Sequence, residues 1–232
     1  MKLMALWSIL AGLDIDAVLL EGQAALEWIR SLDASQLELA EKINRADSRR
    51  LMRLPVVVAP RQWPMDEIEA SPIPAERLEW KDEAKAISID LRLQAFGAYE
   101  QGKLVRWGPV SSGAKISPTP AGEYFLNWRA KRHVSTANRE WILHWYFNFE
   151  NLQGRALHAY EMPGFPASHS CIRLLNRDAQ WVYEWGETWM LSENGREVLR
   201  EGTKVRIEGS YEFEAPPPWR NEGLALKVQT IQ

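Results

Sequence analysis

A single cysteine, Cys171, among 232 residues is the feature that most limits how this chain can fold. One cysteine excludes an internal disulfide, so the fold must be held together by a packed apolar core. Apolar residues make up 46% of the chain and charged residues 25%, with a formal net charge of −3. These values are typical of an ordinary globular protein with enough residues for a real core, and nothing in the charge balance indicates nucleic-acid binding.

The residues around Cys171 favour thiol chemistry. His169 lies two positions before it, Arg173 two positions after it, and His158 further upstream. A thiolate is the nucleophilic form of cysteine, and nearby His or Arg side chains lower the pKa of a thiol. A buried structural cysteine is the alternative interpretation, but the flanking residues favour catalysis. The sequence therefore predicts a reactive Cys171 whose pKa is lowered by its neighbours.

Three segments of the chain resemble motifs of the L,D-transpeptidase (YkuD-like) family, and they occur in the same order as in that family. The segment from Leu157-His158-Ala159 to Ser168-His169-Ser170-Cys171-Ile172-Arg173 is similar to the family's active-site pattern, in which a histidine and a spacer precede Ser/Thr-His-Gly-Cys. Residues 86–113 resemble the family's opening hairpin, and residues 117–124 (SPTPAGEY) resemble the loop that follows it. The resemblance extends from residue 86 to roughly residue 210.

The chain departs from the family pattern at two glycines. Ser170 and Ala159 stand where the family usually has glycine, and the spacer between His158 and Cys171 is somewhat short. If the position before the nucleophile needs a positive φ, a serine there carries strain of about 1–2 kcal/mol. Because the two replacements and the shorter spacer point to a coordinated change, we expect the loop to have adapted to a negative φ at Ser170.

The resemblance implies that Cys171 is the nucleophile and that the upstream histidine, His158, is the general base. His169 is the alternative base, although a short shared loop rarely lets an imidazole reach the sulfur, whereas His158 on a neighbouring strand can approach it from the side. We expect the backbone N–H groups of Ser170 and Cys171 to bind the oxyanion. We expect Arg173 to orient the loop or to bind a substrate carbonyl or carboxylate. The remaining candidate residues for the substrate or the loop are Ser168 and Tyr160.

The activity that this resemblance implies is acyl transfer on peptidoglycan stem peptides. Cys171 would attack the carbonyl before the terminal D-Ala of a tetrapeptide stem, and the thioester would pass to an amine of a second stem. Water as the acceptor would give an L,D-carboxypeptidase, and an amine on a protein would give an anchoring reaction. The resemblance also implies carbapenem-type inhibitors and a location in the periplasm or cell envelope.

Other classes of function fit the sequence less well. A catalytically impaired peptidoglycan-binding module is the main alternative, because Ser170 replaces a glycine. A papain-like hydrolase is disfavoured, since Cys171 precedes its helix by several residues and follows its candidate base. We predict no cofactor and no metal, because the chain has no H-E-x-x-H motif, no paired cysteines and no glycine-rich phosphate loop.

The predicted fold is α+β, with a β-rich sandwich or barrel-like catalytic domain that has a helix after the catalytic loop. We expect a helical N-terminal region at 1–53, a proline-rich connector at 54–85, the catalytic domain at 86–211 and a surface tail at 212–232. Residues 3–13 have features of a secretory signal or anchor, but a folded amphipathic helix is favoured. Membrane contact would come only through that segment.

Several local elements are also predicted. A capping box at Ser35 and Glu38 begins a helix, and an edge strand lies near residues 56–58. Residues 87–93 form a strand whose partner returns at 104–107, and strands follow at 141–149, 155–160 and 204–208. Asn176 caps the helix after the cysteine. We expect the histidines at 133 and 144 to lie on the surface or on strands, and the basic residues at 129–132 to lie in a loop.

Overall fold

The computed structural model describes residues 17–220, and it begins with an α/β region ahead of the main sheet. Strand β1 (Ala17–Glu21) pairs antiparallel with β2 (Val56–Pro60), and three helices lie between them. The helices are α1 (Gly22–Ser31), α2 (Ala34–Asn44) and α3 (Ser48–Leu51). Short 3₁₀ helices follow at Glu67–Ala70 and Leu78–Trp80. The connector predicted at 54–85 thus contains ordered elements, including the predicted edge strand.

Nine strands then form one mixed sheet that curls into a half-barrel, which confirms the α+β class. Its strands in chain order are β3 (Ala86–Asp90), β4 (Ala95–Glu100), β5 (Lys103–Ser111), β6 (Gly122–Phe125), β7 (Arg129–Val134), β8 (Ile142–Glu150), β9 (Arg155–Ala159) and β10 (Ile172–Leu174), followed later by β13 (Lys204–Glu208). Helix α4 (Asn176–Trp185) follows β10, and β11 (Met190–Leu191) pairs with β12 (Val198–Arg200) outside the sheet. The spatial order is β6-β13-β3-β4-β5-β10-β9-β8-β7.

The main core lies on the face of the sheet that α4 covers. Leu157 of β9, Ile172 of β10 and Val182 of α4 are all at most 2% exposed and belong to one apolar cluster. Ala156 of β9 and Tyr160, the residue just after this strand, belong to a different cluster, so alternate residues here face opposite sides as predicted. His158 shares the side of Ala156 and Tyr160, opposite the core.

The predicted opening hairpin is wrong in two respects. Residues 87–93 do not form one strand, and the antiparallel partner of β3 is β4, whereas residues 104–107 lie in β5 and pair with β4. Strand β3 ends at Asp90, whose carboxylate accepts a hydrogen bond from the backbone N–H of Leu93 at 2.8 Å. This side-chain turn competes with the strand ladder, and β4 begins at Ala95. The apolar alternation at Leu91 and Leu93 therefore continues through a turn rather than along a strand.

Both predicted helix caps are shifted by one or two residues. Helix α2 is capped by Asp33, whose carboxylate accepts from the backbone N–H of Gln36 at 2.9 Å. The Gln36 side-chain oxygen in turn accepts from the backbone N–H of Asp33 at 3.1 Å. Asn176 is the first residue of α4 rather than its cap. Its side-chain oxygen instead accepts from the Trp145 indole at 3.1 Å.

The structures of the N-terminal region and of the C-terminal tail also differ from the prediction. Residues 1–53 include strand β1 as well as helices, and the segment predicted as a signal or amphipathic helix lies outside the described residues. The tail at 212–220 is not confined to the surface, because Trp219 is buried under the Arg45 guanidinium at 4.8 Å. Within residues 17–220, no helix is long and apolar enough to span a membrane.

The N-terminal region holds the chain segment that follows β9. The backbone N–H of Asp47 donates to the Met162 carbonyl at 3.1 Å, and the Met162 N–H donates to the Asp47 carboxylate at 2.8 Å. A β-bridge joins Ala46 to Pro163, and Arg50 forms an ion pair with Glu161. These contacts fix the start of the loop that connects β9 to β10.

Asp47→Ala is expected to lower the free energy of unfolding by about 2–3 kcal/mol, because it removes the cap of α3, the bond to Met162 and the ion pair with Arg50. Asp33→Ala is the matched control, since it removes a cap and an exposed local bond from Ser35 but no bond to a distant segment, and it should cost only about 1 kcal/mol. Urea unfolding of both variants measures the difference. Equal losses would show that the contact with Met162 contributes nothing.

Candidate active site

The pairing of β9 with β10 brings the predicted nucleophile and base together. These strands are parallel, with Arg173 opposite His158 and Ile172 opposite Leu157. Cys171 immediately precedes β10, and by alternation it shares the face of Arg173 and His158. All three side chains line one cavity of about 480 Å³. Ser168, Tyr160 and His169 line the same cavity, whereas Ser170 is not among its lining residues.

His158 is a buried neutral base. Its side chain is 3% exposed, and Nδ1 lies 3.1 Å from the carbonyl oxygen of Ala159. Since a carbonyl can only accept, this contact places the proton of the neutral ring on Nδ1 and leaves Nε2 as the acceptor. Burial lowers the pKa of His158 to about 4. The imidazole is therefore neutral at physiological pH and ready to accept a proton.

The predicted lowering of the Cys171 pKa is wrong. Burial raises the pKa of the thiol, and this outweighs the lowering by the Ala156 N–H and by the cations of Arg155 and Arg173. His169 does not assist, because its exposed ring packs against Trp141 with centroids 5.2 Å apart. The thiol lies 3.8 Å from the Gly154 carbonyl oxygen as a weak donor. A neutral thiol and a neutral imidazole lining the same cavity favour general-base activation over a preformed ion pair.

Hydroxyl groups fix the backbone of the catalytic loop. The Ser168 hydroxyl donates to the Cys171 carbonyl, and the Thr119 hydroxyl donates to the Ser170 carbonyl at 3.1 Å. Thr119 in turn accepts from the backbone N–H of Gly113 at 2.9 Å. Thr119 belongs to the motif at residues 117–124, so that motif supports the loop that carries Cys171. The oxyanion role of the Ser170 and Cys171 N–H groups stays a prediction.

The expectation of a negative φ at Ser170 is wrong. Its φ is +67°, in the left-handed region that glycine adopts at little cost. The loop therefore keeps the conformation that a glycine would favour, and the serine occupies it under strain. The hydroxyl also gains a partner, because Arg155 Nε donates to Ser170 Oγ at 2.9 Å.

Arg173 lies at the rim of the cavity. Its guanidinium lies 4.7 Å from the Tyr160 ring centroid, and Nη1 donates to the Glu161 carbonyl at 3.3 Å. Burial lowers the pKa of Arg173, but an arginine stays charged at physiological pH. The cavity thus has a fixed cation at its edge, as expected for a residue that orients the loop or binds an anionic group.

Sequence reasoning missed two residues of the site, His133 and Tyr146. His133 lines the cavity, and its ring centroid lies 4.2 Å from that of Tyr146, whose hydroxyl donates to the Gly154 carbonyl at 2.9 Å. The basic residues at 129–132 lie on β7 rather than in a loop, which places His133 on a strand beside β8. His144 is exposed on β8, as predicted.

A break in strand register explains why Tyr146 was missed. The pairing of β8 with β9 shifts between His144 and Phe147, and Trp145 has a φ of +54°. This irregularity changes which alternate residues face the cavity. Simple alternation from Trp141 therefore gives the wrong face for Tyr146. Among residues 17–220, no group of three His, Cys, Asp or Glu side chains is placed to hold a metal ion.

Comparisons with known proteins agree on one family. The family described as YkuD, L,D-transpeptidase catalytic domain, matches residues 84–207, just over half of the chain. A solved L,D-transpeptidase from Stackebrandtia nassauensis is 25% identical, with a TM-score of 0.45, and the match covers 56% of this chain and 57% of that one. One from Xylanimonas cellulosilytica is 24% identical, with a TM-score of 0.47, and covers 74% and 78%.

The LD transpeptidase LdtMt1, solved in complex with imipenem, is 17% identical, with a TM-score of 0.44 and coverage of 54% of this chain and 59% of that one. The present chain therefore spans less than two thirds of the Stackebrandtia and LdtMt1 chains. No curated protein matches the chain.

Protonation of His158 is expected to destabilise the fold in acid. The unfolded chain binds this proton near pH 6.5, but the folded protein binds it near pH 4, so the unfolded state holds more protons between these values. Stability should therefore fall as the pH drops from 6.5 to 4, with a contribution from His158 on the order of 3 kcal/mol.

Urea unfolding at pH 7 and pH 4 measures this contribution. His158→Gln should lose less stability than the wild type over that range, whereas His144→Gln, an exposed control, should lose as much as the wild type. An identical loss in all three proteins would contradict the buried, neutral state of His158.

Proposed function

Because the chain belongs to the YkuD family of L,D-transpeptidase catalytic domains, we propose that it transfers acyl groups between peptidoglycan stem peptides through a thioester on Cys171. The observation that carries this proposal is that His158 on β9 and Cys171, immediately before the parallel neighbour β10, line one cavity. Nucleophile and base must converge on the same substrate atoms, and this pairing supplies that convergence.

In the first half-reaction, His158 Nε2 takes the thiol proton while Cys171 Sγ attacks the carbonyl before the terminal D-Ala. The backbone N–H groups of Ser170 and Cys171 stabilise the oxyanion. His158 then returns its proton to the departing amine, D-Ala leaves, and a thioester remains on Cys171. A neutral thiol–imidazole pair suits this step, since the base must be unprotonated before the attack.

In the second half-reaction, an amine of another stem attacks the thioester, and His158 removes its proton. As the new amide bond forms and cross-links the two stems, the C–S bond of the thioester breaks. His158 then returns the proton to the departing thiolate, which restores the thiol. Water in place of the amine would release the shortened stem, which is the carboxypeptidase alternative, and a protein amine would give an anchored product. The same residues perform all three reactions.

The lining of the cavity supports a peptide substrate that carries a carboxylate. Arg173 supplies a cation at the rim, and the residues described around the cavity include no Asp or Glu. Amide side chains at Asn148, Asn151 and Gln153 can bind peptide groups, and Trp128 and Trp141 add apolar walls. We propose that Arg173 binds a carboxylate of the stem. Such stems occur outside the cytoplasmic membrane, so the proposed location is the periplasm or cell envelope.

The binding-module alternative is less well supported. A module that had lost catalysis would not need a buried base with its proton fixed on Nδ1, nor a nucleophile loop kept at a φ of +67°. Ser170 alters one side chain in this loop but leaves the backbone conformation that the nucleophile requires.

Imipenem is expected to acylate Cys171, as seen by an increase in the mass of the intact protein that equals one molecule of the drug. Cys171→Ala should abolish the adduct with little change in thermal stability, because removal of a partly exposed loop thiol leaves little cavity. A wild-type protein that stays unmodified, while a known transpeptidase is labelled in parallel, would contradict the proposal.

The same assay separates the two candidate bases. His158→Gln should slow acylation by roughly 10²–10⁴-fold, the usual effect of losing a general base. His169→Gln serves as the matched control and should slow it less than tenfold, acting only through its packing on Trp141. Equal or reversed losses would overturn the assignment of the base.

A further inference from the structure

Arg155 joins the catalytic loop to the strand that carries the base. It is the first residue of β9, and each nitrogen of its guanidinium has a separate acceptor. Nε donates to Ser170 Oγ at 2.9 Å, Nη1 to Glu150 at 3.2 Å and Nη2 to Gln153 at 2.6 Å. The fork geometry of a guanidinium fixes the side chain in one orientation when all three bonds form. The bonds to Glu150 and Gln153 therefore hold the guanidinium in place while Nε donates to the loop.

The bond to Ser170 acts at the residue just before the nucleophile. Ser170 adopts a φ of +67°, which costs energy for any residue with a Cβ, so its conformation must be held by its surroundings. Its carbonyl is bound by Thr119, and its side chain is bound only by Arg155 among the described residues. A glycine here would avoid the strain but would offer no hydroxyl to Arg155.

We propose that Arg155 is a positioning residue for Cys171, which it holds in place through the hydroxyl of Ser170. A glycine would adopt the positive φ at little cost. Here the hydrogen bond from Arg155 to the Ser170 hydroxyl stabilises that conformation instead. This inference rests on the proposed function only in treating Cys171 as the nucleophile. It assigns to Arg155 and Ser170 a shared role that neither side chain performs alone.

The guanidinium of Arg155 also contributes positive charge near the sulfur. The charged groups that act on Cys171 are Arg155 of β9 and Arg173 of β10. The other titratable groups that line the cavity with it are His158 of β9, Tyr146 of β8, His133 of β7, Tyr160 and His169. Glu150 of β8 acts on Tyr146. Arg155 and Arg173 favour the thiolate, and Glu150 is neutralised by its ion pair with Arg155. Loss of Arg155 would thus remove a cation and leave the Glu150 carboxylate with only the backbone N–H groups of Leu152 and Gln153 as partners.

The test compares the wild type with Arg155→Met, Ser170→Ala and the double variant. Cys171 is the only thiol in the chain, so its alkylation by iodoacetamide can be followed by intact mass at each pH without any substrate. Arg155→Met should raise the midpoint of alkylation by about 0.5–1 pH unit, because a cation near the thiolate is lost. Ser170→Ala should raise the midpoint less, because it removes only the bond that holds the Arg155 guanidinium near the thiol. The double variant should have the same midpoint as Arg155→Met.

Controls separate this effect from general damage to the fold. Arg206 of β13 does not line the cavity, and its Nη2 donates to Glu123 Oε1 at 2.6 Å. Arg206→Met should therefore leave the pH midpoint of alkylation unchanged. Ser170→Gly removes the hydroxyl without strain, so it remains folded and should shift the midpoint as Ser170→Ala does. An unshifted Arg155→Met, or a Ser170→Ala shift that adds in full to that of Arg155→Met, would overturn the proposal.

A kinetic readout on stem-peptide turnover tests the positioning itself. Each single variant should lower kcat by about tenfold at little change in KM, and the double variant should show the same tenfold loss, since either change breaks the same bond. Independent, multiplying losses would contradict the shared role. If the wild type releases no D-Ala, the proposed function fails, while the alkylation series still decides the role of Arg155.

Discussion

The parallel pairing of β9 with β10 is the contact on which the site depends. It places His158 opposite Arg173 and brings Cys171, one residue before β10, to the same face. Parallel strands require a connection that returns to the starting edge, and here residues 160–171 make that return without a helix. A loop of this kind has little structure of its own, so its position must come from contacts with the rest of the molecule.

Those contacts come from three parts of the chain. Asp47 in the N-terminal region binds Met162, Ser111 accepts a bond from the Ala167 N–H at 3.1 Å, and Thr119 binds the Ser170 carbonyl. The loop that carries Cys171 is thus held by segments distant in sequence, and two of them, at Ser111 and Thr119, belong to the other two family-like motifs. Burial of the site has a further effect, because it lowers the pKa of the imidazole and raises that of the thiol, which favours the neutral form of both. The proposed mechanism therefore combines proton transfer with attack on the substrate.

Much of this arrangement could be predicted from sequence. The alternation at Leu157 and His158 correctly assigns one residue to the core and the other to the cavity, and the strands around them are close to their predicted bounds. The pKa of Cys171 could not be predicted, because proximity in sequence says nothing about whether His169 turns away or how deeply the sulfur is buried. The φ of Ser170 was also predicted wrongly, since the hydrogen bond from Arg155 depends on a strand contact. His133 and Trp219 were missed for the same reason: their neighbours come from distant segments.

The most direct test of the account is to trap the acyl-enzyme with a tetrapeptide stem. After brief incubation and acid quenching, the peptide that contains Cys171 should carry the stem without its terminal D-Ala, and an equal amount of free D-Ala should appear. His158→Gln should form this adduct far more slowly. An acyl group on another residue, release of D-Ala without any adduct in Cys171, or an adduct that forms equally fast in His158→Gln would contradict the pairing of Cys171 with His158 as nucleophile and base.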